Sequence, residues 1–226
     1  MKAMILAAGR GERMRPLTDK TPKPLLEVNG QRLIEYHIHA LAAAGIKEIV
    51  INTAWLGEQI PEYLGDGSRY GVSIQYSNEG EALETGGGIF NALPLLGDDP
   101  FIIVNGDVWS DYEFGPLVAL INAGFDKLAH LVLVNNPPHN PQGDFSIEQG
   151  LLLNQKGEGA YTYSGVGIYH PKMFGDCSPG KFPLAPMLIA GMDGKQVSGE
   201  HYTGLWFDIG TPERLAELDG MLAEKS

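Results

Sequence analysis

The sequence predicts an α/β fold: a layered, mostly parallel sheet flanked by helices, with a small antiparallel β excursion. Three observations predict it. Short apolar runs alternate with helix-period patterns as far as Val134. The alternation breaks at the turn-rich NNPPHNPQGDF, and short strand-like segments follow. The chain then closes on an amphipathic helix.

Each element has its own reason. Ala3–Ala8 reads as a buried strand. Gln31–Ala44 reads as a helix, because Ile34, Ile38 and Leu41 recur at i, i+4 and i+7 and Gly45 can cap its end. Glu48–Asn52, Val72–Ser77 and Phe101–Val104 read as further buried strands, Gly115–Ala123 as a helix and Leu128–Val134 as a strand. Phe145–Leu153 and Tyr161–Tyr169 read as antiparallel strands, so residues 136–165 form the excursion, placed over the sheet's edge. Near the C-terminus Thr211 suits an N-cap, Pro212 the first helical position, and Leu215, Leu218 and Leu222 mark one face. At 226 residues and 43% hydrophobic composition, residues 1–226 are expected to form a single domain.

Composition narrows the function. A net charge of -12 disfavours nucleic acid as a partner. The single cysteine, Cys177, excludes an intramolecular disulfide and suits a reducing compartment. The apolar run at Ala3–Ala8 is too short for a signal-peptide core, and no segment has the length of a membrane span. The expectation is a soluble, cytoplasmic, monomeric protein with small-molecule partners.

One stretch runs against the acidic balance. LAAGRGERMRPLTDKTPKP, Leu6 to Pro24, carries Arg10, Arg13, Arg15, Lys20 and Lys23 against only Glu12 and Asp19. A strand leading into a glycine-rich turn at the carboxyl edge of a parallel sheet is a common place to hold phosphate. Gly9 and Gly11 let backbone N–H groups approach an anion. Arg13 offers a fork of donors and Lys23 a compact charge, stiffened by Pro22 and Pro24. The loop is neither a dinucleotide fingerprint, whose third glycine is replaced by Met14, nor a P-loop, which needs Gly-Lys-Ser/Thr.

Two carboxylates complement it. FIIVNGDVW ends an apolar strand in Asn105-Gly106-Asp107, which puts Asp107 on the same rim as the opening loop. LWFDIGT carries Asp208, too early to cap the helix that starts at Pro212. Two converging carboxylates beside a phosphate site suit Mg²⁺, which takes few protein ligands and completes its shell with water and phosphate. Asp107-Val108-Trp109 does not form the Asp-x-Asp of many metal-dependent glycosyltransferases. EALETGGGI, Glu81–Ile89, either exposes backbone for edge-on recognition of a flat base or is a flexible start to a helix. Trp55, Trp109 and Trp206 read as packing residues, and His37, His39 and His130 as structural. No His/Cys cluster suggests zinc, and no nucleophile elbow occurs.

LAAGRGERMRPLTDKTPKPLLEVNG closely resembles the signature of the sugar nucleotidyltransferases, and the likeness extends over nearly the whole chain. The resemblance implies a Rossmann-like nucleotide-diphospho-sugar transferase fold, Mg²⁺ as cofactor, and transfer of a nucleotidyl group to a sugar 1-phosphate with release of pyrophosphate. It implies Arg13 and Lys23 as the catalytic cations. Ala8, Gly9, Gly11, Glu12, Arg13, Lys23 and Asn105 would hold the nucleotide, with Thr85, Gly86 and Gly87 at its base. Asp107 and Asp208 would be the metal ligands. Gly106, Gly143, Asp144, Glu158 and Gly165 would approach the sugar. The Glu-Lys-Pro that most relatives carry before the sugar-pocket strand is missing, and Glu158 could replace its glutamate. LETGGG, NGDVW and YTYSGVGIYHP most resemble the branch that uses UTP and N-acetylmuramate α-1-phosphate in bacterial cell-wall sugar recycling. The alternatives are mannose 1-phosphate guanylyl transfer, thymidylyl or uridylyl transfer to a glucose-type phosphate, and a non-catalytic binder of nucleotide sugars.

Overall fold

The structure, a computed structural model, describes residues 1–225. In chain order its first half contains β1 (Lys2–Leu6), the hairpin strands β2 (Glu27–Val28) and β3 (Gln31–Arg32), α1 (Leu33–Ala43), β4 (Glu48–Thr53), α2 (Gln59–Leu64), β5 (Ser73–Asn78), α3 (Glu84–Leu96) and β6 (Phe101–Asn105). Then follow β7 (Val108–Ser110), α4 (Gly115–Asn122), β8 (Ala129–Val134), β9 (Phe145–Glu148), β10 (Leu151–Leu153), β11 (Ala160–Tyr169), α5 (Ala185–Asp193), β12 (Val197–Tyr202), β13 (Trp206–Asp208) and α6 (Pro212–Lys225).

The main sheet runs β5-β4-β1-β6-β11-β8-β12-β10-β9. β5, β4, β1 and β6 are parallel neighbours. β11 enters antiparallel to both β6 and β8, and β12 runs parallel to β8. Alternation along each strand divides the core by face. Ala3, Ile5, Ile49, Ile51, Ile102 and Val104 pack with α1 residues Ile34, Ile38 and Leu41 on one side. Met4, Val50, Phe101 and Ile103 pack with α3 residues Ile89, Ala92 and Leu96 on the other. Both faces are therefore covered by helices, which explains the nearly unbroken apolar runs of the parallel strands.

The predicted elements differ from the observed ones mostly at their ends, with one larger change. The excursion does not hang over a free edge. β9 pairs with the start of β11, β10 pairs with β9 and with β12, and β12 and β11 flank β8. The pairings close a circuit of five strands, so the excursion's strands satisfy their backbone groups on both sides.

A third apolar cluster lies at the carboxyl rim. It joins Met14 of the opening loop, Val28 and Leu33, Trp109 of β7, Ile209 and Leu218 of α6. β13 pairs with β7 in a separate two-stranded ribbon. The last helix thus fastens a ribbon and a loop that are far apart in sequence. Leu218 is fully buried there. Leu218→Ala is expected to lower stability by about 2–5 kcal/mol, read as a lower urea midpoint. An unchanged midpoint would show that α6 does not anchor the rim.

Candidate active site

The opening loop begins where β1 ends. Ala7 N donates to Asn52 Oδ1 at 2.7 Å, tying the loop to the end of β4. The chain then folds back through short helical turns. Gly11 is the pivot: its φ is 65°, and a Cβ would lie 3.0 Å from Thr18 Cγ2 and 3.3 Å from Lys23 Cβ. Its carbonyl accepts from Met14 N at 2.9 Å and from Thr18 Oγ1 at 2.8 Å. A side chain here would be strained by the backbone conformation and crowded by Thr18 and Lys23.

This folding sorts four of the five cations. Arg15 pairs with Asp19 at 2.7 Å on the exposed side, and the Arg10 guanidinium sits 4.4 Å from the centre of the Trp55 ring. Arg13 and Lys23 instead line a cavity of about 470 Å³. Lys23 is only 6% exposed, and its Nζ lies 2.9 Å from Asp107 Oδ2. Arg13 has no hydrogen bond or ion pair among the described residues. Its Nη2 lies 3.3 Å from the position a Cβ on Gly210 would take.

The two aspartates arrive on neighbouring backbones. β6 ends at Asn105, and Gly106 N donates to Leu6 O at 2.9 Å. β13 lies antiparallel to β7 with Asp208 opposite Val108, and Ile209 N donates to Asp107 O at 2.9 Å. A separation of 101 residues in sequence is closed by one ribbon. Asp107 faces Lys23, while Asp208 Oδ2 accepts from Arg214 Nη1 at 2.8 Å and lies 3.1 Å from His139 Nε2. Asp107 lines the first cavity and Asp208 stands outside its lining. Carboxylate oxygens are hard donors that suit a small divalent cation, whose other ligands would be water and phosphate. Among the described residues no group of three or more His, Cys, Asp or Glu is arranged to hold a metal unaided.

Of the two readings of the glycine-rich segment, the structure has the start of a helix and not exposed backbone. Glu84 to Gly87 form the first turn of α3, and Gly86, Gly87 and Gly88 are all buried. A Cβ on Gly86 would lie 2.6 Å from Phe182 Cδ2, on Gly87 2.3 Å from Gly180 O, and on Gly88 2.4 Å from Glu79 Oε1. They are glycines because other chain segments press against the helix. Glu79 Oε2 accepts from Leu83 N at 2.8 Å and Glu79 Oε1 from Asn52 Nδ2 at 2.6 Å, so the ends of β4, β5 and α3 are tied together.

The cavity collects most of the expected nucleotide residues: Ala8, Gly9, Gly11, Glu12, Arg13, Lys23, Thr85 and Asn105, with Gly106 and Asp107. Gly86 and Gly87 lie behind it rather than on its wall. Asn52, Glu79 and Gly210 also line it. Sequence reasoning passed over Asn52 and Gly210 and left Glu79 unassigned. The only available signal was their position at strand ends or in the segment after Asp208.

A second cavity of about 580 Å³ adjoins the first and shares Glu84, Thr85 and Asn105 with it. Of the expected sugar residues only Asp144 lines this cavity. Its carboxylate accepts from Tyr163 N at 2.9 Å and Asn140 Nδ2 at 3.2 Å. Gly165 lies against the Asn105 side chain, where a Cβ would come within 2.7 Å of Cγ. Gly143 sits in a turn beside Ala160, off both walls. Glu158 is exposed and lines neither cavity, because the turn around it, with Gly157 and Gly159 at positive φ, carries it outward. Lys156 and Asn154 occupy the wall instead.

Known proteins share this chain's sequence and shape. Residues 2–150 match the family described as nucleotidyl transferase. A protein of Neisseria meningitidis serogroup B named N-acetylmuramate alpha-1-phosphate uridylyltransferase is 54% identical, with 98% of each chain covered. One of the same name from Caulobacter vibrioides is 33% identical, covering 98% of this chain and 97% of its own. A solved structure from Bacillus anthracis, provisionally assigned as a glucose-1-phosphate thymidylyltransferase and holding sucrose, superposes with a TM-score of 0.89 at 22% identity over 98% of this chain and 94% of that one. It shows the same fold.

Beneath the rim, His37 of α1 is buried against β7, and burial lowers its pKa from 6.5 to about 4 despite a hydrogen bond to the Val108 backbone. Its Nε2 has no partner among the described residues. The unfolded chain therefore binds this proton more tightly than the folded one. The contribution of neutral His37 is complete above pH 6.5 and is lost as pH falls toward about 4. Urea midpoints measured across that window should fall more steeply for the native chain than for His37→Gln. Equal slopes would remove His37 from the account.

Proposed function

Because the chain belongs to the nucleotidyl transferase family, we propose that it transfers a uridylyl group from UTP to N-acetylmuramate α-1-phosphate, giving the UDP-sugar and pyrophosphate. The observation that carries this reading is the joined pair of cavities, the first lined by Arg13, Lys23 and Asp107 and the second large enough for an acylated sugar. The identity of the sugar and base follows the two relatives that match over nearly their full length.

The triphosphate lies along the opening loop in this reading. Backbone N–H groups near Gly9 and the cations Arg13 and Lys23 bind its oxygens. Thr85 and the start of α3 face the base, and the sugar sits against Asp144 with its phosphate directed toward the first cavity. An oxygen of the sugar phosphate attacks the α-phosphorus in line, a new P–O bond forms, and the bond to the outgoing pyrophosphate breaks with its electron pair. The attacking oxygen is already an anion, so no protein base or nucleophile is needed. What the chain supplies is position and positive charge. Asp107 and Asp208 would hold Mg²⁺, which when bound neutralises charge on the triphosphate. The lone cysteine suits the cytoplasm, where such a reaction would return cell-wall sugar to use.

Lys23 stands at the centre of this account. Lys23→Ala is expected to lower kcat/KM about a hundred- to a thousandfold, a typical loss for one positioned electrostatic group. Near-normal turnover would remove Lys23 from the chemistry. The function itself is tested by pyrophosphate release from a panel of nucleoside triphosphates and sugar 1-phosphates. UTP with N-acetylmuramate α-1-phosphate should give the highest rate. A faster rate with GTP and mannose 1-phosphate would replace the substrate assignment, and no release with any pair would leave a binding protein.

A further inference from the structure

The second cavity has two unlike walls. Pro183, Leu184 and Leu188 form an apolar side, while Asp144, Asn154 and Lys156 face it with polar groups. Lys156 is the only cation among the described residues that line it. It makes no hydrogen bond or ion pair among the described residues, although Asp144 lines the same cavity. The Asp144 carboxylate is occupied by Tyr163 N and Asn140. The backbone under Lys156 is held, since Gly157 N donates to Gln142 O at 2.7 Å. An exposed, unpaired ammonium carried on a held stretch of backbone beside a ligand cavity can receive an anion.

That anion differs from the phosphate of the substrate. The phosphate belongs in the first cavity, with Arg13 and Lys23, and the two cavities meet at Glu84, Thr85 and Asn105, with Glu84 paired to Lys181. A sugar seated across that junction would present the far side of its ring to Lys156. We infer that Lys156 is a specificity-determining residue that reads a carboxylate on the sugar, the lactyl carboxylate of N-acetylmuramate. The apolar wall takes the methyl groups of the lactyl and acetyl substituents. This assignment rests on the sugar-phosphate reading above and adds to it the group by which an N-acetylmuramate is told from a neutral N-acetylhexosamine.

The test compares N-acetylmuramate α-1-phosphate with its lactyl amide, which has the same shape and no carboxylate charge. The native enzyme should prefer the acid by about tenfold in kcat/KM, the scale of one hydrogen bond to a charged group. In Lys156→Gln that preference should collapse toward one, mainly through a higher KM for the acid. Lys156→Arg should keep most of it. Thermal unfolding of both variants, which alter an exposed side chain, checks that they remain folded. A Lys156→Gln enzyme that keeps the native preference, or that loses the acid and the amide equally, would overturn the assignment. Failure of the native enzyme to use either compound would overturn the substrate reading as well, which separates the two failures.

Discussion

The site depends on one ion pair, Lys23 Nζ against Asp107 Oδ2 at 2.9 Å. A lysine that is 6% exposed would be costly to bury alone. Asp107 makes it tolerable, and the pair in turn determines where the opening loop can lie. The loop closes over Gly11, which packs against the Lys23 stem, and its Met14 enters the rim cluster with Trp109 and Leu218. Charge and apolar packing therefore converge on one loop geometry. In the proposed reaction the ammonium would need little further ordering when a polyphosphate arrives, which is the condition under which a fixed charge assists a transition state most.

Parallel pairing explains why so many polar groups meet at this rim. β1, β4, β5 and β6 all point their carboxyl ends the same way. Ala7, Asn52, Glu79 and Asn105 follow from or belong to those ends. Asn52 links the loop after β1 to Glu79, and Glu79 holds the start of α3. A sheet of this kind makes a polar crevice outside its strand ends by construction. The β7–β13 ribbon adds Asp208 from the far end of the chain, and α6 holds that ribbon down.

Much of this was legible where the signal is local. The glycines, prolines and cations between Leu6 and Pro24 act on one another within one loop, so their spacing carries the information. Asp107 was legible because an apolar strand ends just before it. Gly86 to Gly88 stayed open between two readings because glycine serves both exposed backbone and tight packing. Phe182 and Gly180, which decide for Gly86 and Gly87, lie about a hundred positions away, and Glu79 meets Gly88 only in the fold. Asn52, Arg214 and His139 carry no mark of their own. Each acts through a partner set by tertiary folding, as Arg214 and His139 do on Asp208. The excursion was legible as antiparallel strands, but the circuit it closes through β12 depends on a strand not read from the sequence.

The cations also explain how an acidic chain can hold a polyanion. Carboxylates beside a triphosphate would repel it if they stood alone. Asp107 is matched by Lys23, and Asp208 by Arg214 with His139 alongside. These pairs bring the two carboxylates to the rim with a cation beside each. Arg13 in the first cavity and Lys156 in the second remain without a partner among the described residues. The neutralised pairs set the background, and the two unmatched cations mark the places where negative charge must come from the ligand.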